Sequence, residues 1–133
     1  MPYEISWEFD GACKIFSGHL TEDEFVRSSE EIAGYYRFDR LRYIISDYTA
    51  VTSHGLTANG VEAVAAIRLG AWTSNPNIRS IVVAEDVSPG AIGVVARLQP
   101  LLRPHETILF STIGQAREWI SHQPHLCRPR PIR

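Results

Sequence analysis

The chain has 133 residues, 44% of them hydrophobic and 21% charged, and a formal net charge of −2. That length fits one domain that buries a core without disulfides or metal, and the aromatic content excludes wholesale disorder. The slightly acidic balance argues against a general nucleic-acid binder, and no apolar run approaches the roughly 18 residues of a membrane span.

Lys14 is the only lysine among 13 basic residues; the rest are arginine, read here as a compositional bias rather than a collective phosphate-binding set. Met1 to Phe9 lacks the basic region and apolar run of a signal peptide. Cys13 and Cys127 form no C-x-x-C pair and no secreted-type framework, so a reduced, cytoplasmic protein is expected.

Tyr3, Ile5, Trp7 and Phe9 alternate with polar or small residues, a strand signature. Asp10-Gly11 is a hairpin dipeptide, and Ala12 to Ser17 makes a second strand that Gly18 closes. Thr21-Glu22-Asp23-Glu24 is a capping box that opens an amphipathic helix to about Tyr36, with Phe25, Ser29, Ile32, Ala33 and Tyr36 on one face. Tyr43 to Tyr48 reads as a short apolar strand, followed by a polar stretch from Thr49 to Gly55.

Thr57 caps the next helix, Ala58 to Thr73, which is apolar nearly all round until Asn75-Pro76 breaks it. Ile78 to Ala84 is a buried-strand pattern. Ser88-Pro89 is a helix start that leads into Gly90 to Leu98. Thr107 to Phe110 is the last strand, and Thr112-Ile113-Gly114-Gln115 opens a short helix whose Ile113, Ala116, Trp119 and Ile120 can pack inward.

The order β-β-α-β-α-β-α-β-α predicts a single α/β domain over residues 1–121. Its sheet is mainly parallel, built by right-handed crossovers, with an antiparallel opening hairpin. Residues 122–133 form a Pro- and Arg-rich tail, expected to be mobile or irregular. All 15 acidic residues precede the tail, so residues 1–121 carry −5 and the tail +3.

Several segments, in this order, carry a family resemblance over about residues 3–121. They are Ser17-Gly18-His19-Leu20-Thr21, Tyr43 to Thr52, Ser74-Asn75-Pro76 before Ile81-Val82-Val83-Ala84, and Phe110-Ser111-Thr112 with Ala116-Arg117-Glu118-Trp119-Ile120. The chain resembles the STAS and CRAL-TRIO-like small domains, the class of the sporulation anti-sigma factor antagonists. The resemblance implies a non-enzymatic domain used for partner switching or small-ligand sensing. Antagonist members carry a sequence similar to Asp-Ser-Ser-Gly-Leu before the helix, in which one serine is a kinase target. Here the stretch reads Thr52-Ser53-His54-Gly55-Leu56. His54 stands at the phosphoacceptor position and Thr52 at the acid, a departure that argues against that switch.

Ligand crevices in open α/β sheets lie outside the carboxyl ends of strands. That makes Asp47, Thr49, Ser53 and His54 the candidate site, set against a reading in which Asp47 only caps its own loop. A Ser-His-Asp triad is disfavoured, because Ser53 and His54 are sequence neighbours and no G-x-S-x-G is present. His122-x-x-His125-x-Cys127 has zinc-type ligands, but too few for a closed site. No metal site, cofactor fingerprint or enzyme activity is assigned. The two apolar helices point to a covered core, or else to a surface for a protein partner or a second copy. Val61, Val64, Arg68 and Trp72 are the binding candidates there. The leading expectation is a non-catalytic domain acting by protein docking; the alternative is a small apolar-ligand or lipid-binding protein.

Overall fold

The computed structural model describes residues 3–85 and 107–126. Its elements are β1 (Tyr3–Trp7), β2 (Gly11–Leu20), α1 (Glu22–Ala33), a single 3-10 turn (Phe38–Arg40), β3 (Tyr43–His54), α2 (Ala58–Ser74), β4 (Arg79–Val83), β5 (Thr107–Phe110) and α3 (Ile113–Ser121). They build one five-stranded sheet in the order β1-β2-β3-β4-β5. β1 runs antiparallel to β2, and every other pairing is parallel. This is the expected mainly parallel sheet with an antiparallel opening hairpin. The helix expected over Gly90 to Leu98 and the tail from Cys127 lie outside the described residues.

Chain order and strand order coincide, and that decides the layers. Right-handed crossovers between successive neighbours always return on the same side when the sheet grows in one direction. α1 and α2 therefore share one face, where Phe25, Val61 and Val64 join Phe16, Tyr48 and Val82 in one cluster. Ile32, Ala12, Phe38, Leu41 and Ile78 form a second cluster on that face. α3 follows the last strand and covers the opposite face, where Ala116 and Ile120 pack on Cys13, Ile45, Ile81 and Val83.

Three element ends differ from the sequence reading. α1 stops at Ala33 rather than Tyr36, because Gly34 caps it and Tyr35 leaves the helix to stack on Trp7, ring centroids 3.8 Å apart. Tyr36 points into solvent at 84% exposure. β2 runs on past Gly18 to Leu20; Gly18 takes a left-handed φ of 67° inside the strand instead of ending it. β3 runs on to His54, so Thr49 to His54 is strand, not loop.

The hairpin does not use Asp10-Gly11 as a left-handed turn, since neither residue has positive φ. Glu8 N–H donates to the Gly11 carbonyl at 2.8 Å to close it. At the far end, Gln115 N–H donates to Thr112 Oγ1 at 3.1 Å, as a capping box requires. Gln115 Oε1 accepts from Ser111 N–H, one residue short of the expected partner. Of the residues expected to pack inward there, Ile113 is exposed while Ala116 and Ile120 are buried. Beyond α3, Leu126 is buried in the same cluster, and Arg42 Nη1 donates to the His125 carbonyl at 2.9 Å.

Candidate docking site at the strand ends

β2 and β3 pair from Gly11 and Tyr43 to Leu20 and His54, with two register shifts. Between the Ile15–Asp47 and Ser17–Ala50 pairs, β3 advances three residues while β2 advances two. A second extra residue on β3 falls between Gly18–Val51 and His19–Ser53. Each bulge frees a backbone group and switches which side chains face inward. Asp47 meets the first one: its Oδ1 accepts from Thr49 N–H at 2.9 Å and from Thr49 Oγ1 at 2.7 Å. Asp47 is buried, seven residues short of the strand end, and serves this local role.

The strand end itself is built by other residues. Ser53 and His19 are register partners on β3 and β2, and Ser53 Oγ lies 2.7 Å from His19 Nδ1. Both are exposed. His54 turns back on its own chain, where Nδ1 accepts from Leu56 N–H at 3.2 Å. Gly55 N–H donates to the Leu20 carbonyl at 2.9 Å, tying the exits of both strands together. The histidine that meets Ser53 is thus His19, 34 residues away in sequence, not its neighbour His54.

α2 begins immediately below. Thr57 accepts from Gly60 N–H through Oγ1 at 3.3 Å, the N-cap bond that leaves one fewer orphan donor. Glu22, the first residue of α1, reaches across, and its Oε1 accepts from both Thr57 N–H and Thr57 Oγ1. These bonds from Thr57 hold the Glu22 carboxyl below its usual range. Gly60 makes room for it: a Cβ there would stand 2.1 Å from Glu22 Oε1. The two helix starts are therefore locked together beside the His19–Ser53 pair.

The expected helix-borne candidates scatter. Val61 and Val64 are buried in the core, because α2 is covered by α1 on one side and the sheet on another, and they present no docking surface. Arg68 is half-buried and donates to Ser80 Oγ on β4. The Trp72 side chain lies outside what the structure describes. Among the described residues no three His, Cys, Asp or Glu side chains converge as metal ligands, and no helix is long and apolar enough to cross a membrane. The strand order never reverses among the described elements, so the sheet lacks the switch point that opens a crevice in doubly wound folds.

Solved structures share this architecture. The unphosphorylated anti-sigma factor antagonist SpoIIAA superposes with a TM-score of 0.56 at 12% identity, over 90% of this chain and 98% of that one. This is a STAS-like fold. An anti-sigma factor antagonist from Mycobacterium paratuberculosis matches this chain at TM-score 0.57 and 13% identity, over 90% and 92% of the two chains. A DUF3478-family protein with a SpoIIAA-like fold from Shewanella loihica PV-4 matches at 0.52 and 16%, over 94% and 92%. No family model and no curated protein matches the sequence. At these identities the likeness is one of fold.

Sequence reasoning missed His19 and Glu22 at this site. His19 sits in a segment that carried the resemblance, but only strand pairing could show that it faces Ser53.

Proposed function

We propose that this STAS-like domain is a non-catalytic regulator that docks a protein partner of the anti-sigma factor class at the β2–β3–α2 end. The observation that carries the reading is the exposed His19–Ser53 pair, set against the locked start of α2. It is a rigid polar platform at a strand end, on a fold shared with two anti-sigma factor antagonists. Rigid elements present polar groups in one geometry, which favours specific recognition over loop-mediated contact.

The same pair could be read as a nucleophile and its base, since the 2.7 Å contact is within proton-transfer reach. A working serine nucleophile also needs a group that orients the histidine and donors for the oxyanion. Asp47 is committed to Thr49 and stands six residues down the twice-bulged strand from Ser53, four positions on β2 and so roughly 13 Å away at the strand rise. Both members of the pair are exposed to water rather than held in a dry pocket. Docking is the reading this arrangement supports.

The test is co-expression with anti-sigma factors from the same genome, followed by size-exclusion chromatography with light scattering. A stable complex is expected. Ser53→Arg is expected to weaken it at least tenfold, while Tyr36→Arg at the opposite end of the sheet leaves it intact. Absence of any complex, a self-association that excludes every partner, or a complex indifferent to Ser53→Arg would sink the reading. Labelling of Ser53 by a fluorophosphonate would instead favour an enzyme.

A further inference from the structure

At the end of the sheet away from Ser53, the opening hairpin and the turn after α1 enclose a cleft. Trp7 and Phe9 line it from the hairpin, and Tyr35, Arg37, Arg40 and Leu41 from the turn. It holds about 300 Å³, at the small end of the range for ligand sites. Trp7 pairs with Ala12 on β2, and Ser53 with His19, so seven positions of that strand separate the cleft from the docking end.

The aromatic wall is held in place. The Trp7 and Tyr35 rings stack with their centroids 3.8 Å apart and 13° between their planes. Tyr36 meets Tyr35 edge-on at 5.0 Å. Trp7 belongs to β1, and the ladder to β2 fixes its backbone. Even so, Trp7 stays 40% exposed and Phe9 43%. Open rings beside a concavity have the form of a ligand site rather than of scattered surface residues.

The charges of the lining decide what the cleft takes. Glu8 is the one carboxylate in it, and both of its oxygens accept from Arg117. Asp39, between the two arginines in sequence, is exposed and is not part of the wall. Arg37 and Arg40 are exposed and make no ion pair among the described residues. The wall thus presents two uncompensated cations, which repel a cationic guest and favour an anion. A guanidinium holds a carboxylate through two parallel N–H donors, and an aromatic guest stacks on aromatic rings. An aliphatic acid would use only the arginines, and a neutral arene only the rings. We propose that this cleft binds a small aromatic carboxylate, its carboxylate held by Arg37 and Arg40 and its ring lying along Trp7 and Phe9. The cleft shares no residue with the docking end, so either reading can fail without the other.

The test uses the full-length protein and 2-naphthoate. Calorimetry is expected to show saturable binding to a single site. In isotope-labelled protein the Trp7 indole N–H, assigned by its loss in Trp7→Phe, is expected to shift with occupancy. The Trp119 indole, beside Phe110 on the opposite face, is expected to stay. 2-Naphthylmethanol keeps the rings without the charge, and is expected to bind about tenfold more weakly or worse. Decahydro-2-naphthoate keeps the charge without the aromatic rings, and is expected to lose about threefold or more. Replacing the two exposed arginines together, Arg37→Gln with Arg40→Gln, is expected to weaken 2-naphthoate about tenfold or more, while Arg27→Gln on α1 leaves it unchanged. No saturable binding, equal binding of either analogue, a shift at Trp119 without one at Trp7, or an affinity indifferent to the double substitution would overturn the proposal. So would binding to phosphatidylglycerol vesicles without binding to 2-naphthoate, which would assign the rings to a membrane surface. The analogue comparisons on the unmodified chain decide the matter even if a variant does not fold.

Discussion

Gly11 and Lys14 show how single positions on β2 are set by what crosses the strand. A Cβ on Gly11 would stand 2.3 Å from the Tyr43 ring, and that ring is held by its hydroxyl donating to Glu8. Gly11→Ala is therefore expected to cost about 1–3 kcal/mol by overpacking, measured as a shift in the urea midpoint at constant m-value. Lys14 makes the opposite kind of prediction. Burial, and then Arg68, pull its pKa from 10.5 down to about 7. Below about pH 7 the folded chain carries the full cost of a buried charge. Between there and the ordinary lysine range the unfolded state binds more protons, so stability rises with pH. Lys14→Met is expected to raise stability at neutral pH and to remove that rise above it, checked by denaturant unfolding across the range. Cys13 is inert by the same logic, since burial pushes its thiol up to about 11.

Among the elements, α2 is fastened at both of its ends. Its start is clamped by Glu22, and its end by Asn75, whose buried side-chain amide donates to the Phe38 carbonyl at 2.9 Å and the Leu41 carbonyl at 2.7 Å. Those bonds fasten the 3-10 turn, and with it the approach to β3. Asn75→Ala would leave two buried carbonyls without this donor, and a loss of about 2–3 kcal/mol is expected in thermal or urea unfolding. Asn75 was legible in the sequence only as a helix breaker beside Pro76. Its second role needed a partner 37 residues away. β3 shows the converse failure. The first bulge shifts the inward positions from Ser46 and Tyr48 to Val51, so the alternation that marks a strand breaks where the strand continues.

For the whole molecule, the opening hairpin and the last described helix meet through Glu8 and Arg117. The guanidinium donates to both carboxylate oxygens, at 2.7 and 2.6 Å, and joins the β1–β2 turn to α3. Burial works against the Glu8 charge, but the bonds from Arg117 and Tyr43 outweigh it and hold the carboxyl below its usual range. A lowered carboxyl contributes stability above the ordinary glutamate range near 4.5 and loses it as pH falls through the lowered value. Glu8→Gln is expected to cost about 1–2 kcal/mol at neutral pH and little once wild-type Glu8 is itself protonated, read from unfolding at both pH values. Trp7, Phe9 and Tyr36 leave apolar surface exposed around the turn end, with Arg37 and Arg40 beside them.

The amino-acid sequence by itself determined the kinds and order of the described elements. Capping oxygens at Thr21, Thr57 and Thr112, alternation in β1, and short apolar runs in β4 and β5 are local signals, and local physics sets them. It also determined the antiparallel start and parallel remainder, because short turns make hairpins and long crossovers make parallel neighbours. Only the tertiary structure decided that the strands lie in chain order, which puts α1 and α2 on one face and buries Val61 and Val64. It alone paired Ser53 with His19, and it alone set Lys14 beside Arg68 over an apolar cleft. Such contacts join residues dozens of positions apart, through register and bulges that no local pattern encodes.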